Sequence, residues 1–121
     1  MKTCKVVTID EGIKVTIEGM TGNWKRLILP EDTDKKEVMG VGFLKQGDCR
    51  GWHKHPKDED EILYIIEGKA LLEWKEDDAI KELIAQAGSA VYTPAEIENN
   101  ISNPFPEDMY CAFFIRLKPE I

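Results

Sequence analysis

The sequence contains no long apolar run and no excess of positive charge. Its uninterrupted apolar stretches are only a few residues long, whereas a membrane-spanning helix needs about 20 apolar residues. The 16 lysines and arginines stand against 23 aspartates and glutamates, which gives a net charge of -7. Such a surface repels polyanions and offers no basic stripe to a phosphate backbone. We therefore expect neither a membrane nor a nucleic-acid partner.

Cysteine is also scarce, and its spacing has no pattern. Cys4, Cys49 and Cys111 are an odd number at wide separations, which fits neither a disulfide framework nor a thiolate metal site. The first residues of the sequence alternate charged and apolar side chains, so they lack the continuous apolar stretch of a secretory signal. We expect reduced thiols and a cytoplasmic protein.

The hydrophobic pattern is typical of a β protein. The 121 residues have the usual size of one domain, so we expect a single domain over residues 1–121. Short segments rich in β-branched and aromatic residues recur between turn signals, which favours an all-β sandwich or barrel. Gly68 stands between two apolar runs and predicts a hairpin over residues 62–74. The predicted strands are KVVTI, IKVTIE, WKRLIL, VMGVGFLK, EILYII, ALLEW, EDDAIKELIAQ, AVYTP and MYCAFFIRL.

Both histidines of the chain stand two residues apart, in the segment GWHKHPKDEDE. Residues i and i+2 of a strand point to the same face, roughly 6–7 Å apart, so His53 and His55 can bind one ion. Glu61 begins the next apolar run after the turn PKDED, and an antiparallel return would bring its carboxylate beside the two rings. Two nitrogen ligands and one oxygen ligand form a facial set, which leaves other positions open for water or substrate.

This stretch resembles the first conserved motif of the cupin superfamily. That motif runs Gly, five residues, His-x-His, three or four residues, Glu, six residues and Gly. Gly47, His53, His55, Glu61 and Gly68 match it, except that five residues separate His55 from Glu61. The longer gap means either an insertion in the loop or an acidic ligand at position 59 or 60. We prefer Glu61 because its distance to Gly68 keeps the register of the predicted hairpin, and a one-residue slip would turn the ligand to the opposite face of its strand.

The segment GSAVYTPAEIENNISN is similar to the second cupin motif. Gly88, Pro94 and Asn103 match that motif at the right spacing, but Glu96 stands where glycine is usual and Asn99 stands where the third histidine is usual. An asparagine offers a neutral oxygen. Asn99 is therefore a fourth metal ligand, a hydrogen-bond donor to bound water, or a bystander.

The resemblance implies a double-stranded β-helix, the jelly-roll barrel of cupins, with a divalent metal ion (Fe, Mn, Ni, Co or Zn) inside its mouth. With Fe(II), a His-His-Glu triad favours dioxygenase-like chemistry on a small organic molecule. With other ions, a metal-dependent isomerase or lyase is the alternative, for which Glu96 and Glu98 are candidate bases. A non-catalytic cupin that binds a small ligand is the third possibility, because the fold alone does not specify an activity.

The segment MYCAFFIRL carries apolar side chains on both of its faces. A strand with one face in water would alternate apolar and polar residues. Small cupins commonly pair by packing their sheets together, so we also expect a homodimer.

Overall fold

A computed structural model describes residues 3–118, and its architecture is all-β. Nine strands form two antiparallel sheets of six and three strands, which confirms the predicted jelly-roll class. The helical elements of this part of the chain are two three-residue 3-10 turns, and none is long and apolar enough to cross a membrane. The strands are β1 (Ile13–Lys14), β2 (Asn23–Ile28), β3 (Glu37–Leu44), β4 (Glu61–Glu67), β5 (Lys69–Glu76), β6 (Ala79–Gln86), β7 (Ala90–Thr93), β8 (Asn99–Ser102) and β9 (Met109–Arg116).

The core lies between the two sheets. The strand order is β1-β2-β3-β9-β4-β7 in the larger sheet and β6-β5-β8 in the smaller one. The central strand β9 buries Met109, Cys111, Phe113 and Ile115, whereas Phe114 on its other face is 46% exposed. Alternation of this kind places one face of the sheet in the barrel and the other outside. The expectation of apolar residues on both faces of β9 is therefore correct, and Phe114 on the outer face is partly exposed to solvent in the single chain.

The predicted hairpin over residues 62–74 is wrong. β4 pairs with β7 and β9, whereas β5 pairs with β6 and β8, so the chain crosses from one sheet to the other at Gly68. Gly68 has a φ of 74°, and a Cβ there would lie 2.4 Å from the backbone oxygen of Asp108. Glycine is required here because its φ lies in the left-handed region and because the neighbouring backbone leaves no room for a Cβ.

The observed hairpin is formed by β5 and β6, around Asp77 and Asp78. Both residues have positive φ, 50° and 62°, as a two-residue turn of the primed type requires, and aspartate tolerates this region better than most residues. Residues 79–86 of the predicted segment EDDAIKELIAQ form β6, so the strand prediction is confirmed there, while the preceding acidic residues end β5 and form the turn.

The strand predicted over KVVTI is wrong, and the one over IKVTIE is reduced to β1. Val6 is 91% exposed, so this apolar side chain does not pack into the core. The following turn is stabilised locally, because the Glu11 carboxylate accepts hydrogen bonds from the backbone N–H and the hydroxyl of Thr8. Strand propensity depends on a neighbour to pack against, and none covers this segment.

One strand, β8, was not predicted, because its sequence NNIS is poor in strand-forming residues. It is ordered by its partner, since Asn99 to Ser102 pair with Trp74 to Leu71 of β5. Asn99, Asn100 and Ile101 are all buried. Tertiary pairing here outweighs the low strand propensity of asparagine.

The sheet crossing at Gly68 generates a prediction. We expect Gly68→Ala to destabilise the protein more than Gly88→Ala, because both positions have positive φ (74° and 88°) but only the first would press a Cβ onto neighbouring backbone. The φ penalty alone costs about 1–2 kcal/mol. Urea unfolding midpoints of the two variants check this. Equal losses of stability would show that the backbone near Gly68 can move to accommodate a Cβ without a free-energy cost.

Candidate functional site

The two histidines lie on a short extended segment that runs against residues 96–99. His53 and Asn99 form an isolated bridge, with N···O distances of 3.0 and 2.9 Å, and the Glu96 N–H donates to the His55 carbonyl at 2.9 Å. The expected antiparallel pairing with β4 is therefore wrong, since the histidine segment is held by the residues before and at the start of β8. The same-side placement holds, because the two ring centroids are 5.2 Å apart.

Glu61 joins the two imidazoles from the opposite wall. It is the first residue of β4, is 2% exposed, and pairs with Thr93 and Ile115. One ligand atom from each of His53, His55 and Glu61 lies within 4.8 Å of the others. The residues of this triad come from two separate segments, yet their donor atoms share one small volume that could hold a metal ion.

The neighbouring acids are directed elsewhere. Asp60 Oδ2 accepts hydrogen bonds from Arg116 Nη2 at 2.8 Å and from the Tyr92 hydroxyl at 3.0 Å, on the outside of the barrel. Glu59 Oε1 lies 3.5 Å from the backbone nitrogen of Lys118. The extra residue is absorbed in the loop, where Asp58 has a φ of 67°. The geometry thus groups Glu61, and neither of the two preceding acids, with the histidines.

Asn99, the bridge partner of His53, adds a fourth candidate donor atom, its amide oxygen. It is 1% exposed, and its side-chain nitrogen donates to the carbonyls of His53 and Ile97 at 3.3 and 3.0 Å. Because the amide nitrogen is fully used, the amide oxygen is the atom left available. This position is the one at which the cupin motif has its third histidine.

Four buried side-chain atoms lack a hydrogen-bond partner within residues 3–118, and they are the donor atoms of the predicted site. They are His53 Nε2, His55 Nε2, Glu61 Oε2 and Asn99 Oδ1. Buried polar atoms are nearly always hydrogen-bonded, so these four unpaired atoms indicate partners, such as an ion or water, that the protein itself does not supply. A divalent cation fits this donor set of two imidazoles, a carboxylate and an amide oxygen.

The protonation states suit such an ion. Burial lowers the pKa of His53, and its Nδ1 lies 2.9 Å from the Gly51 carbonyl, which fixes that nitrogen as the donor and leaves Nε2 with its lone pair. Burial alone would raise the pKa of Glu61, but the charge and the hydrogen bond of Arg50, together with the nearby ring of His55, lower it to about 2. At neutral pH the site therefore contains a neutral His53 and an ionised Glu61, the forms that bind metals.

Sequence reasoning missed Arg50, whose guanidinium is 7% exposed. Its Nη1 lies 2.5 Å from Glu61 Oε1, and its guanidinium carbon lies 5.0 and 4.9 Å from the ring centroids of Trp24 and Phe113. An arginine in a polar turn gave no sign of burial. The available signal was its position three residues before His53, on the same short segment.

Two cavities approach the site from different sides. The smaller cavity, about 70 Å³, is lined by both histidines, Arg26, Arg50 and Glu18 together with seven apolar residues. The apolar cavity, about 440 Å³, has a mainly aliphatic and aromatic lining between the two sheets. That lining is Leu72, Trp74, Glu76, Leu83, Ile84, Ala85, Ser89, Ala90, Val91, Tyr92, Thr93, Pro94, Ile97 and Asn99.

The candidate bases lie outside the cluster of donor atoms. Glu98 pairs with Lys75 at 2.9 Å, and its side chain is 44% exposed. Glu96 is exposed and has a φ of 67°, which explains why glycine is usual at this position of the motif. Asn103, which matches the motif, has a structural contact: its side-chain nitrogen donates hydrogen bonds to the backbone carbonyls of Leu44 and Glu107.

Several solved structures share this fold. A crystal structure described as a predicted oxalate decarboxylase from Thermotoga maritima is 25% identical, with a TM-score of 0.77, over 94% of this chain and 100% of that one. Oxalate decarboxylase OxdC of Bacillus subtilis is 21% identical, with a TM-score of 0.74, over 93% of this chain and 30% of its own. CapF, a capsular polysaccharide assembling protein of Staphylococcus aureus, is 20% identical, with a TM-score of 0.71, over 90% and 31%.

The chain thus spans the whole of the first of these proteins and less than a third of the other two. No curated protein matches the sequence. A family model described as a cupin domain matches residues 41–115, which is more than half of the chain and includes both motifs. The resemblance seen in the sequence is confirmed: this chain belongs to the cupin family.

Proposed function

We propose that the protein is a metal-dependent enzyme that acts on a small carboxylic acid. His53, His55 and Glu61 are the metal ligands in this proposal, and Asn99 Oδ1 is a fourth donor. The observation that carries it is the cluster of four buried, unpaired donor atoms, one from each of these residues.

The charge of the site favours an anionic substrate. Glu61 supplies one negative charge and Arg50 one positive charge at 2.5 Å, so the pair is formally neutral. A divalent ion held there would bring two positive charges into a buried region, where uncompensated charge is costly. A carboxylate of the substrate would offset that charge, and Arg50, Arg26 and Glu18 line the smaller cavity beside it.

The residues of the chain have separate tasks in this site. A bound divalent ion would supply a Lewis acid that polarises a substrate oxygen. Arg50 holds Glu61 ionised, and the Gly51 carbonyl orients the ring of His53. The aromatic rings of Trp24 and Phe113 keep water away from the guanidinium, which strengthens its field at the site.

The comparisons support carboxylate chemistry over the other subclasses. The Thermotoga maritima structure covered end to end by this chain is described as a predicted oxalate decarboxylase, and the Bacillus subtilis oxalate decarboxylase is described as having Mn(II) centres. A His-His-Glu set would equally serve the dioxygenase-like reaction expected with Fe(II). Both reactions consume a small acid or a related chelating molecule, and they differ in whether dioxygen is used up.

The first test is metal content followed by turnover. We expect purified protein exposed to Fe, Mn, Ni, Co and Zn in turn to retain one divalent ion per chain. His55→Ala and Glu61→Gln should each lower metal occupancy at least tenfold, because each removes one of the three strong ligands. Glu59→Gln is the matched control and should retain the ion, since Glu59 lies outside the triad. Elemental analysis after dialysis measures occupancy.

Turnover is then measured on the loaded protein with a panel of mono- and dicarboxylic acids, by carbon dioxide release and oxygen uptake. Release of carbon dioxide supports the proposal, and oxygen uptake would assign the reaction to the oxidative subclass. Stable binding of acids without turnover would identify a non-catalytic binding cupin. Absence of any bound ion, or loss of metal in the Glu59 variant alone, would refute the assignment of the ligands.

Arg50 generates a second prediction, on stability. In metal-free protein, Arg50→Met should cost about 3–5 kcal/mol of unfolding free energy, because it leaves the carboxylate of Glu61 buried and unpaired. The double variant Arg50→Met with Glu61→Gln should recover most of this loss. Urea unfolding in the presence of a chelator measures both.

The same pair sets part of the acid sensitivity. The pKa of Glu61 is about 2 in the folded protein and 4.5 ordinarily, so its contribution to stability is complete above pH 4.5 and is lost as pH falls toward 2. The double variant should lack this part of the decline. If the unfolding free energy of the double variant falls with pH as steeply as that of the unmodified protein, other carboxylates account for the decline.

We also propose that the chain forms a homodimer through the outer face of its larger sheet. Ile62, Tyr64, Tyr92 and Phe114 are between 44% and 59% exposed there, and Ile62 is the cross-strand partner of both Tyr92 and Phe114. A contiguous apolar face of this kind is typical of an interaction surface. A second copy would cover it with an identical patch around a two-fold axis.

Light scattering tests the dimer. We expect a mass of twice 13.8 kDa at micromolar concentration for the unmodified protein, and a shift to the single-chain mass for Phe114→Lys, because the charge would be buried in the apolar patch. Ile13→Lys, at a 55% exposed residue on another strand, should keep the dimer. A single-chain mass for the unmodified protein would overturn this proposal.

A further inference from the structure

The apolar cavity ends beside two of the candidate metal ligands. Thr93 lines the cavity and is the cross-strand partner of Glu61, and Asn99 lines it and is the bridge partner of His53. Residues directly opposite one another in an antiparallel pair point to the same face, about 4.5–5.5 Å apart. The inner end of the cavity is therefore next to the donor atoms, and the unpaired oxygen of Asn99 belongs to a residue of its wall.

The outer end of the cavity lies where the barrel wall is incomplete. Strands β6 and β7 are the edges of the two sheets and are not paired with one another. Leu83 of β6 lies opposite Leu72 and so faces the interior, yet it is 62% exposed. A large apolar side chain on the inner face that remains open to solvent marks the mouth of the cavity.

The smaller cavity can hold no more than one end of a substrate. Its volume of about 70 Å³ has room for a few water molecules. Val15, Ile17 and Met20, from the segment that follows β1, line its outer side. In contrast, the 440 Å³ of the apolar cavity fall in the range of about 300–1,000 Å³ that is usual for small-molecule sites.

We infer that the substrate enters through the apolar cavity, between β6 and β7, and that it is a carboxylic acid with an apolar body. This inference rests on the proposed function, which it narrows. The carboxylate reaches the metal site at the inner end, and the aliphatic or aromatic body lies against Leu72, Trp74, Val91 and Ile97. A short dicarboxylic acid such as oxalate would leave this apolar wall uncovered.

A series of unbranched acids tests the inference. Acetate, butyrate, hexanoate and octanoate are titrated calorimetrically into the metal-loaded protein. Affinity should rise about fourfold for each added methylene until the cavity is filled, which corresponds to about 0.8 kcal/mol per methylene buried. Oxalate, despite its second charge, should bind more weakly than octanoate.

Two variants on one strand locate the entrance. Leu83→Gln should weaken octanoate binding several-fold and leave acetate binding unchanged, because it makes the mouth of the cavity polar. Ile80→Gln is the matched control, since Ile80 is 60% exposed on the same strand and does not line the cavity. Both residues are exposed, so neither change removes core packing.

The inference would be overturned if the affinity for the acids did not depend on their length, or if Leu83→Gln and Ile80→Gln weakened octanoate binding equally. Either result would leave metal binding and the proposed function intact. A change in oligomeric mass for Leu83→Gln, without a change in octanoate affinity, would likewise overturn it by showing that β6 is an interface. Titration of metal-free protein with 1-hexanol separates the two proposals. Binding of this uncharged probe that is weakened by Leu83→Gln supports the apolar cavity even if no metal is retained.

Discussion

The burial of one carboxylate is the constraint on which the site depends. Glu61 is 2% exposed at the start of a central strand, and an ionised group in that position must be compensated. Arg50 provides the compensation at 2.5 Å, and the rings of Trp24 and Phe113 lie beside its guanidinium. Only one carboxylate oxygen is used by the guanidinium, and the other, Oε2, is buried without a hydrogen-bond partner. The ion pair thereby stabilises the barrel and prepares a ligand in the same contact.

The site was predictable where its residues lie within one motif. His53 and His55 are separated by one residue, so their proximity follows from local spacing, and Glu61 lies beside them although the hairpin register used to prefer it is wrong. Geometry contributed what spacing could not, because the bridge from His53 to Asn99 joins positions 46 residues apart in the chain. Arg50 was missed for a related reason: an arginine in a turn is usually exposed, and its burial depends on Trp24 and Phe113, which come from distant strands.

Strand prediction succeeded where a segment has its own apolar pattern and a neighbour that uses it. β9 has both, and its four inward residues are in the core. KVVTI has the pattern without a covering neighbour, so it is not a strand, whereas NNIS lacks the pattern and becomes β8 through pairing with β5. The hairpin expected at Gly68 failed because a glycine between two strands permits a sharp turn or a crossing between sheets. Sequence alone does not distinguish these outcomes, since both require the same backbone freedom.

The incomplete pairing of the barrel gives the site two unlike sides. On the side of the histidine segment, two arginines, a glutamate and two imidazoles are among the residues that line a small cavity. On the side of β6 and β7, the sheets do not meet, and aliphatic and aromatic residues line a larger space that continues to Thr93 and Asn99. The substrate that we infer, charged at one end and apolar along its length, would contact both sides. At the boundary between these sides, Asn99 stands where the cupin motif has a histidine. Its amide nitrogen donates to two backbone carbonyls, and its amide oxygen has no partner. The asparagine therefore retains a donor atom beside the apolar cavity.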